Sequence, residues 1–139
     1  MKILVIDDER AIRNSLKEIL MLEGYEVETA ENGVQGIAMV EKEKYDVIFC
    51  DIKMPEMDGD EVLDRLVAMG IDAAIVMISG HGDINSAVAC IKRGAFDFIP
   101  KPLDLNRILI TIKNATEKVT LVKETKVLKK KVYGQEMIG

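Results

Sequence analysis

Lys2-Ile-Leu-Val-Ile-Asp-Asp8 sets four consecutive apolar residues directly before two carboxylates. A run that short, apolar on both faces and rich in β-branched residues, predicts a buried strand. The same design returns three times: Val47-Ile-Phe-Cys50 before Asp51, Ala74-Ile-Val-Met-Ile78 before Ser79, and Phe98-Ile-Pro100 before Lys101. Between these runs the apolar residues step at helical spacing. Ala11, Ile12, Leu16, Ile19, Leu20 and Leu22 predict a helix that Gly24 stops, and Tyr25-Glu-Val-Glu-Thr29 then alternates like a strand. Asn32-Gly33 turns into a helix carrying Ile37, Ala38, Met39 and Val40. Val62, Leu63, Leu66 and Val67 mark a third helix closed by Gly70. Ile84, Ala87, Val88 and Ile91 mark a fourth, with Asp83 as its N-cap and Gly94 as its stop. Strands are expected at 2–6, 25–29, 46–50, 74–78 and 96–99, and Asp104 caps a final helix.

Five strands alternating with five helices predict an α/β fold: a three-layer, doubly wound, five-stranded parallel sheet with an extended C-terminal helix. Right-handed crossovers favour the flavodoxin-like strand order 2-1-3-4-5. In that order the winding reverses between strands one and three, and ligands bind at the carboxyl ends beside such a switch point. Asp7, Asp8 and Asp51 flank that crevice, and Ser79 and Lys101 end strands on the same edge.

Two carboxylates about 4 Å apart repel by roughly 4 kcal/mol at an effective dielectric near 20. A cluster of three therefore needs a proton, a lysine or a metal ion. Oxygen ligands select a hard cation, and Mg²⁺ takes one or two carboxylates while keeping waters for phosphate oxygens. Asp8 and Asp51 are the expected direct ligands, Asp7 acts directly or through water, and the backbone carbonyl of Lys53 could fill another position. Calcium binding alone lacks a loop with ligands at alternating positions. A carboxylate beside Mg²⁺ and a lysine can also attack phosphorus and carry the phosphoryl group as an acyl phosphate. Lys101 and the metal would neutralise its charge, and Ser79 could donate to a phosphoryl oxygen. Taken singly, each residue has a plainer reading: Asp7 or Asp8 as a helix cap, Asp51 and Ser79 as turn formers, Lys101 as a solvated lysine. Their joint placement at one edge favours a site.

Composition narrows the class. A chain of 139 residues with 48% hydrophobic content forms one domain with an ample core. Its apolar runs are too short to span a bilayer, and the N-terminus lacks a signal pattern, so a cytoplasmic protein is expected. Cys50 and Cys90 read as small buried hydrophobes, and one His with two Cys excludes a structural zinc site. The net charge of -5 is uneven: residues 1–112 hold 12 basic and 21 acidic side chains, whereas 113–131 hold seven lysines against Glu117 and Glu124. An acidic body disfavours nucleic acid, and the tail's lysines, spread round a helix without aromatics, read as a solvated surface. No direct nucleic-acid binding by this fragment is expected.

Taken in order, Val5-Ile-Asp-Asp-Glu9, Asp51-Ile-Lys-Met-Pro55, Met57-Asp-Gly59, Ile78-Ser-Gly-His-Gly82 and Phe98-Ile-Pro-Lys-Pro102 resemble the motifs of a receiver domain of a two-component response regulator, over about residues 2–118. Each is weak alone, and together they are specific. The resemblance implies that Asp51 is the phosphoacceptor, Asp7 and Asp8 the magnesium-binding pair, Ser79 the switch hydroxyl and Lys101 the phosphate partner. It implies a cis Lys101-Pro102 bond and a sensor histidine kinase as donor, with no enzymatic activity beyond self-catalysed phosphotransfer and dephosphorylation. Phe98 falls on the switch-aromatic position, where many relatives carry Tyr; it has no hydroxyl to bond, and it also serves as a strand residue filling core. Ser79-Gly-His-Gly82 with Ala95-Phe-Asp-Phe98 looks most like receivers of nitrogen-regulation-type, sigma-54-dependent activators. His81 reads as a surface turn residue.

From Asp104 to Val132 there is no Pro or Gly. A helix of about 28 residues would run roughly 42 Å, beyond what a domain with a radius of gyration near 13–14 Å can cover. Leu105, Ile108, Ile112, Ala115, Val119 and Val122 step like a coiled-coil seam. The first three are also expected to pack on the sheet. Residues 1–118 are thus expected to form the receiver and 119–139 a helical coiled-coil linker to an absent output domain, with ATPase and DNA-binding domains downstream. A homodimer through Ile108, Ile112, Ala115, Val119 and Val122 follows from the seam.

Two rivals keep the same fold class. A metal-dependent aspartyl phosphatase wants a second Asp two residues beyond its nucleophile, and the Asp7-Asp-Glu-Arg10 run fails that spacing. A flavin-binding module wants a hydroxyl- and glycine-rich phosphate loop where this chain has Asp7-Asp-Glu9.

Overall fold

The computed structural model describes residues 1–80 and 84–117. Its strands are β1 (Lys2–Ile6), β2 (Glu26–Ala30), β3 (Val47–Asp51), β4 (Ala74–Ser79) and β5 (Asp97–Pro100). Its helices are α1 (Arg10–Leu22), α2 (Gly33–Lys42), α3 (Gly59–Ala68), α4 (Ile84–Lys92) and α5, helical over 105–117. All neighbouring strands pair parallel, in the order β2-β1-β3-β4-β5.

Side-chain alternation divides the core into two layers. Leu4, Ile6, Ile48, Cys50, Ile75 and Met77 face α2, α3 and α4 and meet Ile37, Val62, Leu63, Leu66, Ala87 and Cys90. Ile3, Val5, Val47, Phe49, Val76 and Ile78 face the other way, onto Leu16 and Leu20 of α1 and Ile108, Ile112 and Ala115 of α5. The central strands β1, β3 and β4 are therefore apolar on both faces through their middles, with polar residues only at their ends, because both faces are covered. The edge strand β2 instead mixes buried Val27 and Ala30 with more exposed Glu26, Glu28 and Thr29.

Local signals set the helix ends. Asn32 Oδ1 accepts from the Gln35 N–H at 2.8 Å, while Gln35 Oε1 accepts from the Glu31 N–H at 2.7 Å, a reciprocal box that starts α2. Asp104 Oδ1 accepts from the Asn106 N–H at 3.1 Å as α5 begins. Gly24 and Gly70 take φ of 89° and 69° at the ends of α1 and α3, as helix stops require. The expected caps and turns at His81 and Asp83 lie outside the described residues.

The structure corrects two expectations. Asp51 and Ser79 do not follow their strands; they are the last residues of β3 and β4, because backbone pairing continues through a polar side chain. The strands β2 and β5 likewise sit one residue later than expected. The dimer seam is the larger correction. Ile108, Ile112 and Ala115 are at most 1% exposed and lie inside their own domain's core, so in this fold they offer no seam to a partner. Leu105, also expected on the sheet, is 42% exposed. Steps of four and three serve a sheet-facing stripe as well as a coiled coil. Val119 and Val122 lie outside the described residues.

Truncation separates the two uses of α5. Ile112→Ala is expected to cost about 2–5 kcal/mol in urea unfolding. Ile110→Ala, at a position 56% exposed, is expected to cost no more than about 0.5 kcal/mol. Equal losses at the two positions would contradict this orientation of the helix.

Candidate functional site

Strand register carries the polar residues to one edge. Ile6 pairs with Cys50, so Asp7 begins the turn after β1 beside Asp51 at the end of β3. Ser79 pairs with Pro100, so Lys101 leaves β5 one residue beyond. Backbone hydrogen bonds prolong the ladder into the turns: Asp7 N–H to the Ala30 carbonyl at 3.1 Å, Ile52 N–H to Ile78 at 3.0 Å, and Lys101 N–H to Ser79 at 2.8 Å.

Asp7, Asp8 and Asp51 each bring a carboxylate oxygen within 4.8 Å of the others'. Asp7 and Asp51 are buried, whereas Asp8 is exposed. Asp7 Oδ1 accepts from the Glu9 N–H at 2.8 Å, but Asp7 Oδ2 is buried without a partner among the described residues. Burial pushes the Asp7 carboxyl up to about 7; the Glu9 N–H opposes this, and the charges of Asp51 and Asp8 reinforce it. Asp51 is also raised by burial, against the pull of Lys101.

Lys101 Nζ donates to Asp51 Oδ2 and to Glu9 Oε1, each at 3.2 Å. Burial works to lower this ammonium, yet the Asp51, Asp7 and Glu9 carboxylates together outweigh it and the net direction is up. The Lys101-Pro102 bond is cis. Lys53 meets the site through its N–H, 3.4 Å from Asp51 Oδ1. Ser79 is fully buried, and among the described residues its Oγ has no hydrogen-bond partner. Phe98 pairs with Met77 and packs, half-buried, against the core layer under α2–α4.

The donor set fits a hard dication. It is oxygen-only, and one of its oxygens is buried without a hydrogen-bond partner among the described residues. Such a cluster can hold Mg²⁺ and accept a phosphoryl group on the carboxylate that already touches a lysine.

Three contributors were not visible in the sequence. Glu9 takes the second arm of Lys101. Arg13 Nη1 donates to the Asp7 carbonyl at 2.7 Å and steadies the turn. Gly59 starts α3 against the end of β3: its N–H meets the Ile52 carbonyl at 2.7 Å, and an added Cβ would lie 2.2 Å from the Asp51 carbonyl oxygen. The cysteines match expectation. Both are free and buried; Cys90 Sγ donates to Asp60 Oδ1 at 3.1 Å, and burial, then Asp60, push its thiol up to about 12.

Asp7 gives the site a pH signature. Its folded value, raised from the ordinary 3.8 to about 7, makes the native state bind more protons than the unfolded chain in that window. Without divalent metal, wild type should therefore lose stability relative to Asp7→Asn as pH rises from about 5 to 8. Saturating Mg²⁺ should abolish the difference in slope. Parallel melting curves across that range in metal-free buffer would refute a buried, unpaired carboxyl.

Comparison with known proteins gives one consistent answer. Residues 3–113 match the family model described as the response regulator receiver domain. The chain is 38% identical over 139 residues to the nitrogen assimilation regulatory protein NtrX of Azorhizobium caulinodans, covering 99% of this chain and 31% of that one. It is 33% identical to the C4-dicarboxylate transport transcriptional regulatory protein DctD of Rhizobium meliloti, covering 92% and 28%. Among solved structures it resembles NtrX from Brucella abortus in complex with ADP, with a TM-score of 0.87, 37% identity, and coverage of 91% of this chain and 29% of that one. It spans, then, about a third of the length of these regulators.

Proposed function

This chain belongs to the response regulator receiver family of two-component signalling, related to the NtrX and DctD transcriptional regulators, and from that premise we propose that Asp51 is its phosphoacceptor. Both rivals fall away: the matches favour a regulatory receiver over an aspartyl phosphatase or a flavin module.

The observation that carries the proposal is the contact of Lys101 Nζ with Asp51 Oδ2, 3.2 Å long, beside the Asp7, Asp8 and Asp51 cluster. An Asp51 oxygen attacks the phosphorus of a phosphohistidine on a sensor kinase; the P–N bond breaks, and the imidazole leaves with the electron pair. Asp7, Asp8, Asp51 and the Lys53 carbonyl would hold Mg²⁺, which supplies charge neutralisation to the carboxylates and phosphoryl oxygens when bound. Lys101 neutralises a further part of that charge.

Phosphorylation adds roughly two negative charges at the end of β3. The Ser79 hydroxyl, buried and without a partner among the described residues, is a donor available to that group. Its movement, with that of Lys101, would bias α4, β5 and α5, and Phe98 lies on that route without a hydroxyl to bond in a rotated state. Residues 1–118 are read as the receiver, and 119–139, which lie outside the described residues, as its connection to ATPase and DNA-binding domains in a cytoplasmic, sigma-54-type regulator. In this fold the homodimer does not draw on the buried Ile108, Ile112 and Ala115, and Val119 and Val122, the rest of the expected seam, lie outside the described residues. No helix among the described residues is long and apolar enough to cross a membrane.

Asp51→Asn should take up no phosphoryl group from acetyl phosphate, and a chelator should suppress uptake by wild type. Unchanged stoichiometry in the variant would place the acceptor elsewhere. Fluoroberyllate should change the sedimentation of the full 139-residue chain at micromolar concentration. Identical mass with and without it would remove dimerisation as the output.

A further inference from the structure

Glu9 sits where a helix ordinarily takes Ser, Thr, Asp or Asn. It is the N-cap residue of α1, at φ -85° and ψ 113°, and its side chain makes no capping hydrogen bond. Its backbone is pinned on both sides, the N–H by Asp7 Oδ1 at 2.8 Å and the carbonyl by the Arg13 N–H at 3.1 Å. The carboxylate reaches over the site instead, and its Oε1 lies 3.2 Å from Lys101 Nζ. The ammonium is therefore suspended between a buried acceptor, Asp51, and a solvent-side one, Glu9, at equal distances.

A lysine on four rotatable bonds has many places to be, and restricting it costs entropy. Asp51 alone cannot hold it through the reaction, because the Asp51 oxygen becomes bonded to phosphorus. Glu9 forms no bond to phosphorus, so its contact with Lys101 can persist through the step. We propose that Glu9 is a positioning residue for phosphoryl transfer, holding Lys101 Nζ over the acceptor from the solvent side while Asp51 changes its bonding. This rests on the reading of Asp51 as phosphoacceptor and adds to it the regulation of that site by a residue on a different element.

In the assay step an Asp51 oxygen attacks the phosphorus of acetyl phosphate, the P–O bond to the acyl group breaks, and acetate departs with the electron pair. A carboxylate near the entrance also repels an anionic donor, so removal of charge and removal of the tether push in opposite directions. A side-chain series separates them. With a tether, Glu9→Ala lowers the first-order rate at saturating acetyl phosphate by about tenfold, as loss of orientation at a reacting centre does. Glu9→Asp, one methylene too short, loses nearly as much. Glu9→Gln, whose amide oxygen still accepts from an ammonium, stays within about threefold of wild type. In a Lys101→Ala background none of the three changes the rate further, because the partner is gone. Melting temperatures measured alongside exclude misfolding as the cause.

The proposal is overturned if Glu9→Asp matches wild type while Glu9→Gln matches Glu9→Ala, the pattern of charge acting alone. It is equally overturned if the Glu9 effects persist undiminished without Lys101. In either case wild-type phosphorylation at Asp51 leaves the receiver reading standing; absence of any uptake by wild type would take both down.

Discussion

Crowded negative charge at the carboxyl edge of the sheet is the condition to which the rest of this molecule answers. Three carboxylates lie within 4.8 Å of one another, two of them buried. At that spacing their mutual repulsion is several kcal/mol unless a cation intervenes, on the order given by Coulomb's law at an effective dielectric near 20. The core supplies what is needed to hold them there. Apolar strands packed on both faces fix where each turn begins, and helices on both sides leave the turns little freedom.

The opposite edge shows what a balanced arrangement looks like. Lys2 Nζ meets Glu28 Oε1 at 2.9 Å and also Glu43, and the Tyr45 hydroxyl donates to Glu28 at 3.1 Å. There the Glu28 carboxyl is held below its usual range by Lys2, whereas at the carboxyl edge burial drives Asp7 and Asp51 upward. One edge has settled its charges by pairing side chains. The other keeps a deficit of positive charge, which is the electrostatic form of a binding site.

Much of this was legible in the residues. Strands buried on both faces announce themselves as unbroken apolar runs, so β1, β3 and β4, and hence the order of the sheet, could be read directly. Gathering Asp7, Asp8, Asp51 and Lys101 required only that these runs be parallel. The α5 stripe was ambiguous because the residue spacing that suits a coiled coil also suits a helix lying on a sheet; only the open face beside α1 decides. The part played by Glu9 was hidden for another reason. Its partner lies 92 positions away, and nothing local distinguishes an acidic N-cap residue that reaches across a site from one that points into solvent.

Gly59 has a consequence of its own. Helix α3 rests on the end of β3 main chain against main chain, with 2.2 Å between the Asp51 carbonyl oxygen and the place a β-carbon would occupy. A seat made of peptide groups has no side chains to vary, so sequence drift on α3 can alter its outer face freely without tilting the acceptor. At the bearing surface itself that tolerance ends, because a single methyl group there would act as a wedge.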